Sequence, residues 1–135
     1  MAPIKTQVVP VMAEEDVVRA RQAVRHLAEE LRFSLVDQTK LVTATSELAR
    51  NTVIYGGGGS LKLEAVQEGT RMGLRLVFED KGPGIPDIAL ALKDGYTTGN
   101  GLGLGLGGAK RLVNEFDIQS QPGAGTRITA LRWKS

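Results

Sequence analysis

Three sets of residues in this chain have types and spacings that could do chemistry. The first is Asp80, a carboxylate that closes the apolar run ending in Phe78-Glu79 and opens the turn Lys81-Gly82-Pro83-Gly84-Ile85-Pro86. The second is a denser glycine run, Gly99-Asn100-Gly101-Leu102-Gly103-Leu104-Gly105-Leu106-Gly107-Gly108, which leads into Ala109-Lys110-Arg111. Glycine reaches positive φ and lets backbone approach a ligand closely. Backbone N–H groups that feed a helix N-terminus hold anions, phosphate above all. The stretch from Phe78 to Arg111 therefore reads as a nucleotide base at one end and phosphates at the other. The third set is Glu47 and Asn51, four residues apart in Ser46-Glu47-Leu48-Ala49-Arg50-Asn51. On a helix they share one face, off the Leu41/Leu48/Tyr55 stripe. A carboxylate there can take a proton or orient a nucleophile. An amide oxygen is a neutral hard ligand that suits Mg²⁺ beside phosphate and water. Taken alone, the pair favours a plain exposed polar pair with Arg50 beside it.

Glycine runs mimic one another, so the second set needs testing. Gly103-Leu104-Gly105-Leu106-Gly107-Gly108 satisfies G-x-G-x-x-G. A dinucleotide fingerprint requires a buried strand just before it, and Tyr96-Thr97-Thr98-Gly99-Asn100-Gly101 is not one. A phosphate loop of the Gly-Lys-Ser/Thr kind is absent, and so are the Val-Ala-Ile-Lys and His-Arg-Asp segments of eukaryotic-type protein kinases. The glycine run gains meaning from its pairing with Asp80 and with the Glu47/Asn51 helix.

The elements that must position these groups follow from periodicity. Ile4–Met12 reads as a strand. Glu14-Glu15-Asp16 opens a helix whose apolar stripe is Val17, Ala20, Val24, Leu27 and Leu31. A second helix starts at Ser34, with Asp37 at capping-box spacing, and carries Leu41, Ala44, Leu48, Thr52 and Tyr55 inward. It ends at Gly56-Gly57-Gly58-Gly59, which reads as a flexible connector. Ser60–Gln67 and Gly73–Glu79 alternate apolar and polar residues about the turn Glu68-Gly69-Thr70-Arg71, as half-buried antiparallel strands do. A short helix over Pro86–Leu92, a mobile polar stretch over Lys93–Gly101 and a third main helix over Leu104–Phe116 follow. Ile118–Ser120 and Thr126–Trp133 close the chain as a strand pair. The sum is an α/β two-layer sandwich: a mixed, mainly antiparallel sheet of about five strands, covered on one face by three helices.

Composition narrows the partners. The 135 residues suit one domain, 1–135, with a single core. The net charge is +2 with no basic stripe, and aromatics are 4%, which argues against nucleic acid. No cysteine is present, so disulfides and thiolate zinc are excluded and a cytoplasmic setting fits. Neither a signal peptide nor a membrane-length apolar run is visible, so no membrane contact is expected. His26, the sole histidine, reads as a surface residue of the first helix.

The three sets, in this order, resemble the boxes of the GHKL, or Bergerat-fold, ATPases. Glu47-Leu48-Ala49-Arg50-Asn51 is similar to the N box, Asp80-Lys81-Gly82-Pro83-Gly84 to the first glycine box, and Gly101-Leu102-Gly103-Leu104-Gly105-Leu106 to the second. The resemblance implies ATP and Mg²⁺ as cofactors. It implies that Asp80 binds the adenine amino group, Asn51 holds Mg²⁺ and Glu47 is the general base. Gly82, Gly84, Thr97, Thr98, Gly99, Gly101, Leu102, Gly103, Leu104, Gly105 and Thr126 complete the nucleotide contacts, and residues from about Leu92 to Gly101 form the lid. Within the superfamily, Ser46–Asn51, Glu79–Ile88, Asp94–Thr98, Lys110-Arg111-Leu112 and Ala130–Trp133 resemble bacterial switch-protein serine/threonine kinases of the RsbT type. That implies a STAS-domain substrate in stressosome partner switching and a downstream phosphatase or effector, with Arg50 and Tyr96 as partner contacts. Alternatives are an anti-sigma factor kinase that sequesters a sigma factor, a detached histidine-kinase ATP domain, and a non-catalytic nucleotide-sensing adaptor.

Overall fold

The computed structural model describes residues 3–85, 88, 92 and 106–135. The alternating segments in the middle of the sequence become the centre of a sheet. Strand β2 (Gly59–Glu68) and strand β3 (Arg71–Asp80) form a hairpin through Gly69, whose φ of 61° suits the turn. Strand β1 (Pro3–Val11) pairs with β2, and strand β5 (Gly125–Trp133) pairs with β3 and also with strand β4 (Glu115–Gln121). The order is β1-β2-β3-β5-β4, and every described pairing is antiparallel.

Helices α1 (Glu14–Glu30), α2 (Leu35–Ile54) and the short α3 (Leu106–Arg111) accompany the sheet. Their apolar stripes meet Leu61, Leu63, Leu74, Leu76 and Phe78 in one core. Val17, Ala20, Val24 and Leu27 of α1 and Leu41, Ala44, Leu48 and Thr52 of α2 are buried as their spacing predicts, and His26 is exposed. No described helix is long and apolar enough to cross a membrane.

Four details differ from the reading of the sequence. The tetraglycine is a hydrogen-bonded, close-packed turn and not a loose connector. Gly56 N and Gly58 N donate to Asn51 O and Thr52 O, and a Cβ on Gly59 would lie 1.8 Å from Glu79 O. The third helix ends at Arg111 instead of running on to Phe116, and its expected start at Leu104 lies outside the described residues. Chain that could have extended it is taken by the free edge of β5: Asn114 N donates to Leu131 O at 2.8 Å, and Phe116 pairs with Ala130. The Ser34 cap forms only half of a capping box. Ser34 Oγ accepts from Asp37 N at 3.1 Å, but the Asp37 carboxylate turns to Arg132 and Ser135. The outer face of the sheet is covered more fully than half-burial implies. Val66, Leu131 and Trp133 cluster there, Arg71 stacks 4.0 Å above the Trp133 ring, and Glu64 is buried against its cross-strand partner Arg75.

Of the short helix expected at Pro86–Leu92, only Ile88 and Leu92 are described, with Leu92 N donating to Ile88 O at 3.0 Å. The stretch 93–101 lies outside the described residues.

Candidate nucleotide-binding cleft

Three elements converge on one cleft because of where each ends. Helix α2 runs out at Ile54 and delivers Asn51, Thr52, Tyr55 and Gly56. Strand β3 delivers Phe78 and Asp80, and β5 delivers Thr126 and Ile128. Gly84, Ile85 and Leu106 complete the described lining, around about 430 Å³ of space that includes the open mouth. The mix of apolar walls with few polar groups is typical of small-molecule sites. The ladder sets Asp80 directly opposite Thr126.

The turn after Asp80 is fixed from several sides. Asp80 Oδ1 accepts from Gly82 N at 2.9 Å. A Cβ on Gly56 would lie 2.4 Å from Asp80 Cγ and 2.5 Å from Oδ2, so this glycine lets the carboxylate pack on backbone. Gly84 has a φ of +82°, and a Cβ there would lie 2.4 Å from Gln121 O. The far side of the turn is stitched to the β4–β5 hairpin: Gly123 N donates to Pro83 O at 2.8 Å and Ile85 N to Ser120 Oγ at 2.7 Å. Ser120 Oγ also lies 2.9 Å from Thr126 Oγ1 and 3.2 Å from Gly125 O.

Of the residues singled out in the sequence, Asn51, Asp80, Gly84 and Thr126 come together in the lining, and Gly82 stands behind Asp80 against Gly56. Glu47 lies one helical turn before Asn51 and is not among the lining residues. It is half-buried, and its Oε1 is 3.5 Å from Arg50 Nη1. Arg50 is exposed and lines a separate groove between α1 and α2, with Glu14, Glu15, Val18 and Arg21. Tyr96, Thr97, Thr98, Gly99, Gly101, Leu102, Gly103, Leu104 and Gly105 lie outside the described residues. Sequence reasoning missed Gly56, Ile85, Ile128 and Ser120. A glycine run five residues past Asn51 was a usable signal for Gly56, whereas Ser120 carried none, being one serine in a polar strand.

Residues 36–134 match the model of the histidine kinase-, DNA gyrase B-, and HSP90-like ATPases. The chain belongs to that ATPase family. Among curated members, it is 49% identical over 125 residues to serine/threonine-protein kinase RsbT of Bacillus subtilis, covering 93% of this chain and 94% of the relative. It is 31% identical over 115 residues to the anti-sigma F factor of Clostridium kluyveri, covering 81% and 80%. Two solved structures share the ATPase-family fold. The RsbU and RsbW domains of a Mycobacterium tuberculosis protein align with a TM-score of 0.67 at 21% identity, over 97% of this chain and 33% of that one. The SiaB-SiaC complex of Pseudomonas aeruginosa aligns at 0.64 and 11%, over 96% and 89%.

Proposed function

We propose that this chain, read over 1–135 as one kinase domain, is an ATP-dependent protein serine/threonine kinase that works as a partner switch. The observation that carries the reading is the cleft itself, an accepting carboxylate and a hydroxyl on paired strands facing Asn51 of α2, in a chain 49% identical to a serine/threonine-protein kinase. Its substrate is a serine or threonine hydroxyl on a small STAS-domain protein, and its second partner, once released, is a phosphatase.

In this reading Asp80 accepts from the adenine amino group and Thr126 meets the neighbouring ring nitrogen. Phe78, Ile85 and Ile128 exclude water around the base. The phosphates run toward the glycines between Gly99 and Gly105. Among the described residues no group of three or more His, Cys, Asp or Glu could hold a metal. That donor set fits a cation held by one protein oxygen, from Asn51, with phosphate and water supplying the rest. Mg²⁺ bound with the nucleotide would neutralise charge on the phosphate oxygens. Glu47 takes the proton of the acceptor hydroxyl as its oxygen bonds to the γ-phosphorus and the bond to ADP breaks. Arg50 and Tyr96 meet the partner.

Incubation with labelled ATP and candidate STAS proteins tests the reading, with label on a serine or threonine of the partner as the expected result. ATP binding without transfer to any partner would favour a nucleotide-sensing adaptor. The match to anti-sigma F factors sustains a second reading, and sigma-factor capture by the chain in the same assay would support it.

A further inference from the structure

The turn from α1 into α2 makes two choices that local stability disfavours. Arg32 follows the end of α1 with a φ of 62°, and it is the only non-glycine with positive φ among the described residues. Its N–H donates to Glu29 O and the Phe33 N–H to Ala28 O, the paired bonds of a helix end at which glycine is the favoured residue. Leu35 and Val36 then take the first two positions of α2 after the Ser34 cap, where polar and acidic residues suit the exposed N–H groups. They are 71% and 63% exposed, the most exposed large apolar side chains among the described residues. The acid of that turn, Asp37, is buried and turned toward Arg132 and Ser135. Charge around the patch is mostly of one sign. Arg32 is exposed and Lys40, one turn after Val36, is half-buried, and neither makes an ion pair among the described residues. Arg25 donates to the neutral Gln38 at 3.3 Å, and the Gln38 amide holds Phe33 O in the turn. Of the nearby carboxylates Glu30 is taken by Lys5, which leaves Glu29.

Residues held against local preference, beside apolar surface that the fold leaves uncovered, mark a place where something outside the fold bears on the choice. Two aliphatic side chains within a rim of three cations suit a protein segment that offers apolar side chains and carboxylates together. The position sets the patch apart from the chemistry. At 1.5 Å per residue, Glu47 lies about 18 Å and Asn51 about 24 Å along α2 from Leu35. A protein seated on the first turn of α2 can therefore leave the cleft and the Glu47 carboxylate open. We propose that this first turn, with Arg32, is the docking surface for the protein that the chain binds without phosphorylating, and that it engages an acidic, apolar-faced segment of that protein. The inference rests on the reading of the chain as a kinase whose second partner is a phosphatase, and it gives that partner a surface apart from the one around Arg50.

The test measures calorimetric affinity for two probes from one genome, a candidate STAS protein and a candidate serine/threonine phosphatase. It compares the full chain with Leu35→Ser/Val36→Ser and with Arg32→Gly, which suits the left-handed backbone and removes the guanidinium. All three side chains are exposed, and unfolding midpoints check that both variants fold. The wild type binds the phosphatase. Each variant weakens that binding by about tenfold or more, while ATP affinity and label transfer to the STAS protein stay at wild-type values. Wild-type phosphatase affinity in either variant overturns the proposal. So does a parallel loss of STAS binding or labelling, which would give the patch to the substrate. A wild type that self-associates, and becomes monomeric in Leu35→Ser/Val36→Ser, would assign the patch to a second copy and overturns the proposal as well. A wild type that labels the STAS protein but binds no phosphatase removes this inference alone. One that labels no STAS protein removes the kinase reading and this inference with it.

Discussion

Asp80 divides its two oxygens between two tasks. Oδ1 accepts the Gly82 N–H and holds the turn, while Oδ2 lies against the backbone of Gly56. An asparagine in its place can keep the first bond through its amide oxygen, yet it offers a donor where the adenine amino group needs an acceptor. A hydrogen bond to a charged group is worth roughly 1.5–3 kcal/mol. Asp80→Asn should therefore lower ATP affinity by at least about tenfold with little change in the unfolding midpoint, as calorimetry and denaturant titration would report. The helix pair should separate by role. Asn51→Ala, which removes a cleft oxygen, should lose Mg²⁺-ATP binding. Glu47→Ala, whose side chain lies outside the lining, should bind Mg²⁺-ATP but transfer phosphate about 10²–10⁴-fold more slowly. Equal loss of binding in both variants would assign Glu47 to binding.

The turn between β3 and the rest of the chain is the element on which the cleft depends. Gly84 combines a φ of +82° with a Cβ position 2.4 Å from Gln121 O. A side chain there must force the turn away from the β4–β5 hairpin and break the Ile85–Ser120 and Gly123–Pro83 bonds. Gly84→Ala should cost about 2 kcal/mol in denaturant unfolding and weaken ATP binding as well, because the turn carries one wall of the cleft. The glycines of this turn were legible in the sequence, since a carboxylate before Gly-Pro-Gly announces its own geometry. So were α1, α2 and the β2–β3 hairpin, whose periods are unmixed. The end of α3 was not, because Leu112, Val113, Phe116 and Ile118 suit either period, and the free edge of β5 decided between them. The tetraglycine was misread because its constraint comes from Glu79 and Asp80, distant in sequence, and Ser120 was invisible because its meaning lies wholly in Ile85, Gly125 and Thr126.

At the scale of the molecule, the start of α2 is tied to the end of β5. Arg132 donates to Asp37 Oδ1 at 2.5 and 3.0 Å and to Leu112 O at 3.0 Å, and Ser135 Oγ donates to Asp37 Oδ2 at 2.6 Å. Burial pushes the Asp37 carboxyl up, but the bonds from Ser135 and Arg132 outweigh it and hold the group at about 2, against the usual 3.8. A depressed carboxyl stabilises the fold above its unfolded value and loses that contribution as pH falls through its folded value. About 2 kcal/mol should therefore disappear between pH 4 and pH 2, and Asp37→Asn should flatten that part of the stability profile in urea titrations. The cleft has a different long-range property. Asp80 and Leu106 both line it, so the chain that leaves at Asp80 returns to the place it left. The two ends of the intervening chain are thus pinned at one place. Doubling the length of flexible chain between two pinned ends adds only about 0.6 kcal/mol of closure entropy. Residues can thus be inserted between Pro86 and Gly105 at small cost to the sheet. Fold stability and the length of the chain between Ile85 and Leu106 are nearly independent variables, free to diverge separately.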